Sequence, residues 1–145
     1  DMVAILRIEK TLERFGERFI KRIFTETERA KADRRPALRV ETFAKRWAAK
    51  EACAKALGTG MARGVAWADM GVVNEPSGKP GIRLKGAALE RLKAITPPGH
   101  GAIVHVSLSD EHPYAFGFVM ISAELTAQPP TASLAGPVET GEGGA

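Results

Sequence analysis

From Glu41 to Leu57 the chain runs through a segment rich in Ala, Lys, Arg and Glu that contains no glycine or proline, and Gly58 and Gly60 follow it directly. Unbranched side chains and alanine lose little freedom in a helix, and a glycine past the last turn ends one at low cost. The segment therefore predicts one long helix, around which the rest of the chain has to be arranged. Helical geometry sets Trp47, Glu51 and Lys55 four residues apart along one face and turns Lys50 roughly 100° away from it. A Glu to Lys pair one turn apart is a common feature of exposed helix surfaces and contributes only a few tenths of a kcal/mol. On spacing alone the pair reads as helix decoration with Trp47 as a core anchor. The alternative is a carboxylate and an ammonium set side by side for chemistry.

Apolar residues at Ile8, Leu12, Phe15, Phe19 and Ile23 recur at helical steps between Leu6 and Phe24, with Gly16 as a break, so one broken helix or two short ones are expected there. Thr25 followed by Glu28 has capping-box spacing and predicts a further helix to about Asp33, after which Pro36 marks a loop. The segments 66–73 and 80–85 read as strands joined by Asn74-Glu75-Pro76-Ser77-Gly78-Lys79, and 87–95 reads as a short helix. A second pair of strands, 103–108 and 114–122, flanks Asp110-Glu111-His112-Pro113. The fold class is α+β, with helices packed on an antiparallel sheet. Residues 1–125 form one domain, and the Pro- and Gly-rich stretch from Thr126 to Ala145 is expected to be a disordered tail because it has almost no large apolar residue to bury.

The length of 145 residues suits one domain. No apolar run approaches the roughly 18 residues of a membrane span. The single cysteine, Cys53, excludes an intrachain disulfide, and no basic-then-apolar leader precedes the first helix, so a cytoplasmic protein without a membrane partner is expected. Charge is uneven: residues 1–57 hold 15 Lys and Arg against 9 Asp and Glu, whereas the remainder holds 6 against 8. A basic half speeds encounter with acidic partners, among which are nucleic acid, a phosphorylated ligand or an acidic protein. No recognised nucleic-acid motif is present, and a basic module binding nucleic acid or another anion without catalysis stands as the alternative reading.

The string Phe43 to Gly60, with Trp47, Ala48, Ala49, Lys50-Glu51-Ala52, Lys55 and then Gly58-Thr59-Gly60, resembles the signature of the holo-acyl-carrier-protein synthases, a family of 4'-phosphopantetheinyl transferases. Asp1-Met2-Val3 with Arg7-Ile8, Glu17-Arg18-Phe19, Phe24-Thr25-Glu26, Ser77-Gly78-Lys79-Pro80 and His105 to Ser109 extend the likeness to about Glu124. The resemblance implies transfer of phosphopantetheine from coenzyme A to a serine of an apo acyl carrier protein, in support of fatty acid biosynthesis. It implies Asp1 and Glu51 as ligands of Mg2+, which often takes only one or two carboxylates and completes its shell with phosphate oxygens and water. Asp1, Glu51 and Lys55 are then the catalytic residues: Glu51 or a magnesium-bound water takes the serine proton, and Lys55 neutralises or protonates the departing adenosine bisphosphate. Arg46, Gly58, Thr59, Gly60, Lys79 and Pro80 are implied to contact coenzyme A. Arg7, Arg14, Arg18, Lys21 and Arg22 are implied to dock the acidic carrier protein, and the family's homotrimer is implied as the assembly.

Two departures stand out. Many members have Ser-x-Ser-His where this chain has Ser107-Leu108-Ser109-Asp110, and an aspartate cannot bind the ribose phosphate as that histidine does. Either His112 or another basic group is expected to substitute, or coenzyme A to sit slightly differently, with His105 a strand residue. Members also begin with a short apolar strand and a glycine before the aspartate, so residues before Asp1 are expected to be missing.

Overall fold

The computed structural model describes residues 1–127, so the expectation for the tail lies outside the described residues from 128 onward. Its first residue is ordered against the sheet, for Thr126 donates through its main-chain nitrogen to Gly99 O at 3.0 Å.

In chain order the elements are β1 (Met2–Ala4), α1 (Ile5–Phe15), α2 (Glu17–Ile23), α3 (Glu26–Asp33), α4 (Arg39–Ala56), β2 (Met70–Asn74), β3 (Pro80–Leu84), α5 (Gly86–Ile95), β4 (His100–Glu111) and β5 (Tyr114–Leu125). Strands β1, β5 and β4 form an antiparallel sheet in that order, and β2 pairs with β3 in a separate hairpin. The expected α+β architecture is present. Helix α4 crosses the sheet and divides the core: Phe43, Ala44 and Ala48 pack with α1, α2 and β1, while Cys53, Ala54 and Leu57 pack toward Met70 and Ala88.

The close approach of α4 to β5 depends on Gly117. A Cβ there would sit about 2.6 Å from Ala48 C and Ala49 Cα, far inside van der Waals contact. The alternation of β5 turns Ala115 and Gly117 toward the helix and leaves Tyr114, Phe116, Phe118 and Met120 exposed on the other face.

Several expectations shift. The long helix starts at Arg39 rather than Glu41, because Pro36 does not mark an open loop but opens a 3₁₀ turn over Pro36–Leu38 that feeds it. Residues 66–69 are not strand: Asp69 Oδ2 accepts from Ala66 N at 3.2 Å and closes a 3₁₀ turn at Trp67–Asp69, so β2 begins at Met70. Strands β4 and β5 are longer than expected and pair from Glu111 with Tyr114 to His100 with Leu125, so Asp110 and Glu111 belong to the strand. Phe15 is half exposed, with the Arg14 guanidinium 5.1 Å from its ring, since the positive φ of Gly16 re-phases the apolar stripe onto Ile20 and Ile23. Strand β1, too short for periodicity to reveal, pairs with Tyr114 to Phe116.

Cys53 is fully buried on α4, and burial pushes its thiol up to about 11, with the nearby Lys50 charge opposing. A raised folded-state value means that the thiol favours the folded chain below its ordinary pKa of 9.0 and that this contribution is lost as pH rises through about 11. Between these values the parent's unfolding midpoint should therefore fall more steeply than that of Cys53→Ala, as read by urea titration at a series of pH values.

Candidate active site

Asp1 is held by the sheet rather than by its side chain. Its main-chain nitrogen donates to Gly117 O at 2.6 Å, and Gly117 N donates to Asp1 O at 2.8 Å, which continues the β1–β5 ladder by one residue. Since Gly117 lies against Ala48 and Ala49, this pairing carries the Asp1 carboxylate to α4. There Lys55 Nζ donates to Asp1 Oδ1 at 2.7 Å. Residues separated by 54 positions are thus joined in one ion pair, with the Asp1 side chain mostly covered and that of Lys55 exposed. Glu51, one turn before Lys55, is partly buried and lines a cleft of about 290 Å³ with Trp47, Ala54, Lys55, Gly60, Met61 and Trp67. The wall is aromatic: Trp47 stacks on Trp67 with ring centroids 4.2 Å apart and also meets Phe19.

Gly58, Thr59 and Gly60 reach the site through helix termination. Gly58 N donates to Lys55 O at 2.9 Å, and Thr59 N and Gly60 N both donate to Ala54 O. These amides are engaged with the end of α4, and Gly60, at φ 56°, lines the cleft.

Lys50, which helical phase turns away from Glu51, is not a surface charge. It is fully buried, and its ammonium donates to Glu28 Oε1 at 2.7 Å, Met70 O at 2.8 Å and Trp67 O at 3.1 Å. Glu28, equally buried, completes the expected capping box by accepting from Thr25 N at 2.9 Å, and its second oxygen accepts from Val72 N at 3.3 Å. Burial lowers the lysine's pKa, and the Glu28 carboxylate opposes that effect.

A second cleft, of about 480 Å³, opens toward the other end of α4. Arg46 lies at its base, almost fully buried, donating to Asn74 Oδ1 and Thr42 O at 3.3 Å each, while its Nε has no partner among the described residues. Burial lowers the pKa of this guanidinium and Glu28 opposes. Lys31, Arg34, Arg35, Lys45, Gly78, Pro80 and Asp110 complete much of the lining. Asp110 is engaged by Lys45 Nζ at 2.9 Å. Neither His105 nor His112 lines this cleft, and His105 instead pairs across the strands with Ser122 Oγ at 3.0 Å. Lys79 is exposed in the turn before Pro80.

The structure thus groups the residues singled out by sequence into three places. Asp1, Glu51, Lys55 and Gly60 gather at the first cleft, and Arg46 and Pro80 at the second, with no lining residue in common. Arg7, Arg14, Arg18, Lys21 and Arg22 are all exposed on α1 and α2, where Arg7 and Arg14 flank a shallow groove with Lys10 and Phe15. Sequence reasoning missed Lys31, Arg34 and Arg35, although two adjacent arginines before a proline were a visible signal. It also missed Trp67, which carries none.

No set of three His, Cys, Asp or Glu side chains converges among the described residues. Asp1 and Glu51 supply only hard oxygen donors, a set that fits Mg2+ and offers nothing to a thiolate- or imidazole-seeking metal.

The family model of the 4'-phosphopantetheinyl transferase superfamily matches residues 1–115, which span the cleft of Glu51 and Lys55, the strand pairing of Asp1 and most of the sheet. The chain belongs to this superfamily. Within it, the chain is 59% identical over 130 residues to the holo-[acyl-carrier-protein] synthase of Cereibacter sphaeroides, covering 90% of this chain and 94% of that one. It is 61% identical over 123 residues to the synthase of Methylobacterium nodulans, covering 85% and 92%. Among solved structures it resembles the holo-[acyl-carrier-protein] synthase of Helicobacter pylori in complex with coenzyme A, with a TM-score of 0.70 at 27% identity over 84% of this chain and 96% of that one. The synthase of Neisseria meningitidis matches with a TM-score of 0.70 at 36% identity, over 86% and 94%.

Proposed function

We propose that this chain is a holo-acyl-carrier-protein synthase: it transfers 4'-phosphopantetheine from coenzyme A to a serine of an apo acyl carrier protein and releases adenosine 3',5'-bisphosphate. The observation that carries this reading is the Asp1–Lys55 ion pair beside Glu51, assembled from opposite ends of the first 55 residues. The serine oxygen attacks the phosphorus next to pantetheine, and the bond from that phosphorus to the adenosine bisphosphate breaks. Glu51 accepts or relays the serine proton. Lys55 places its ammonium against the charge that collects on the leaving phosphate. Asp1 and Glu51 would hold Mg2+, which would supply Lewis-acid stabilisation to the diphosphate.

Arg46 and Pro80 hold the adenosine end of coenzyme A, with Lys79 and the glycine turn at 58–60 as further contacts. Lys31, Arg34 and Arg35 stand in for the histidine that Asp110 replaces, since their charges wall the same cleft while Lys45 neutralises the aspartate. Coenzyme A would have to touch two clefts that share no residue in one chain, which supports an assembly in which a neighbouring chain completes each site. We assign that assembly as a homotrimer, joined through the exposed apolar face of Met2, Phe116, Phe118 and Met120. A single-chain mass in sedimentation would refute it.

The basic outer face of α1 and α2 docks the acidic carrier, steering its approach by complementary charge. Arg18→Glu should slow transfer at low carrier concentration and flatten its dependence on ionic strength, and an unchanged rate would remove Arg18 from the docking face. The reaction is assigned to the cytoplasm, in support of fatty acid biosynthesis. No described helix is long and apolar enough to cross a membrane.

Incubation of the chain with coenzyme A, Mg2+ and an apo carrier protein tests the proposal. The carrier should gain the mass of phosphopantetheine. A folded chain that binds coenzyme A and leaves the carrier mass unchanged would establish the non-catalytic reading instead.

A further inference from the structure

Glu28 and Lys50 have no part in the chemistry proposed above, yet they form the one fully buried ion pair among the described residues. We infer that this pair is a positioning device for the transfer site, holding the helix that carries Glu51 and Lys55 in a fixed rotation against the turn that carries Trp67. The inference rests on the transferase reading.

An ammonium has three donors and no acceptor, and Lys50 uses all three in separate directions. One goes to Glu28 Oε1 at 2.7 Å, one to Met70 O at 2.8 Å and one to Trp67 O at 3.1 Å. Two of these acceptors are main-chain carbonyls of the 67–70 turn, which runs through Trp67, the indole that stacks on Trp47 in the aromatic wall of the cleft. On its own side, Lys50 immediately precedes Glu51 and lies three residues after Trp47 on α4. A single side chain therefore ties the helix that carries Trp47 and Glu51 to the turn that carries Trp67. Glu28 extends the clamp, because it also holds Thr25 N at the start of α3 and Val72 N in β2.

The charges matter for their directionality. Apolar contacts are non-directional, and a helix packed by them alone can rotate or slide by a fraction of a residue. Three charge-assisted hydrogen bonds of fixed geometry accept only one rotation. A buried ion pair is a weak source of stability, often no better than apolar residues of the same volume. Its presence beside Glu51 is better accounted for by the geometry it imposes. The Trp47–Trp67 stack, with centroids 4.2 Å apart and planes 19° from parallel, is an internal gauge of that geometry.

The test is the double variant Lys50→Met with Glu28→Gln, which removes both charges, fills similar volume and leaves one amide oxygen for either Thr25 N or Val72 N. Thermal unfolding, kcat and KM for coenzyme A at saturating carrier, and the near-ultraviolet circular dichroism of the stacked indoles are measured together. The expected result is a folded protein whose KM stays within about threefold, whose kcat falls about 100-fold through misplacement of Glu51 and whose indole signal changes shape. A folded double variant with the parental kcat and indole signal would overturn the inference and leave the pair a purely structural element. If the double variant does not fold, Glu28→Gln alone decides. With Lys50 still charged it should lose about tenfold in kcat at unchanged KM, and parental kcat would overturn the inference. A parent chain that transfers nothing would refute the transferase reading, while the indole signal would still report whether the pair sets the cleft's geometry.

Discussion

Glu51→Gln should leave the chain folded and reduce transfer by about 10²- to 10⁴-fold, the range over which a positioned proton acceptor contributes. That corresponds to about 3 to 5 kcal/mol of transition-state stabilisation. The same substitution separates the two readings left open by the spacing of Glu51 and Lys55. Were the pair only helix decoration, its loss would cost a few tenths of a kcal/mol in stability and nothing in rate. Gln keeps the size and polarity of the side chain and removes its charge, so the partly buried position tolerates it. Mass analysis of the carrier protein after timed incubation gives the rate, and far-ultraviolet circular dichroism with a melting curve confirms the fold. Undiminished turnover would remove Glu51 from the chemistry.

Gly117→Ala is expected to cost more stability than any other glycine-to-alanine change among the described residues. The new Cβ would overlap the backbone of Ala48 and Ala49, and backbone within a helix cannot move aside as a side-chain tip can. Overpacking of this kind costs about 3 kcal/mol or more. In a domain of this size that lowers Tm by roughly 10 °C. Separation of α4 from β5 would also break the route by which Asp1 reaches Lys55, because Asp1 is anchored to Gly117 on both its main-chain groups. Activity should therefore fall even at temperatures where the variant is folded. A variant with parental Tm would show that α4 does not press on β5 at this point.

The sequence made local structure legible wherever a short-range rule applied. Helix α4, the Thr25–Glu28 capping box, the break at Gly16 and both hairpins follow from propensity, capping chemistry and turn residues, each of which acts within a few positions. Trp47, Glu51 and Lys55 do share a face, as their spacing requires, and all three line one cleft. Local rules failed where a distant partner decided. Phe15 satisfies the apolar period yet is half exposed, because the break at Gly16 carries the buried stripe on to Ile20 and Ile23 and leaves Phe15 outside it. Lys50 has the same composition cues as any lysine on an Ala-rich helix, and its burial depends on Glu28, 22 positions away, and on carbonyls of the turn at 67–70, whose residues carry a strand-like pattern.

What the sequence alone determined about the Trp47–Lys55 segment is therefore its helical state and the common face of Glu51 and Lys55, both set by the 3.6-residue period. It did not determine which face the rest of the protein would cover. The tertiary structure decided that through Gly117, which admits α4 to the sheet, and through the Lys50–Glu28 clamp, which fixes the helix's rotation. These contacts turn one side of α4 into core and leave the other open to Asp1. The physical reason is one of range: periodicity sets directions relative to a helix axis, whereas burial is set by residues that are near in space and far apart in the chain.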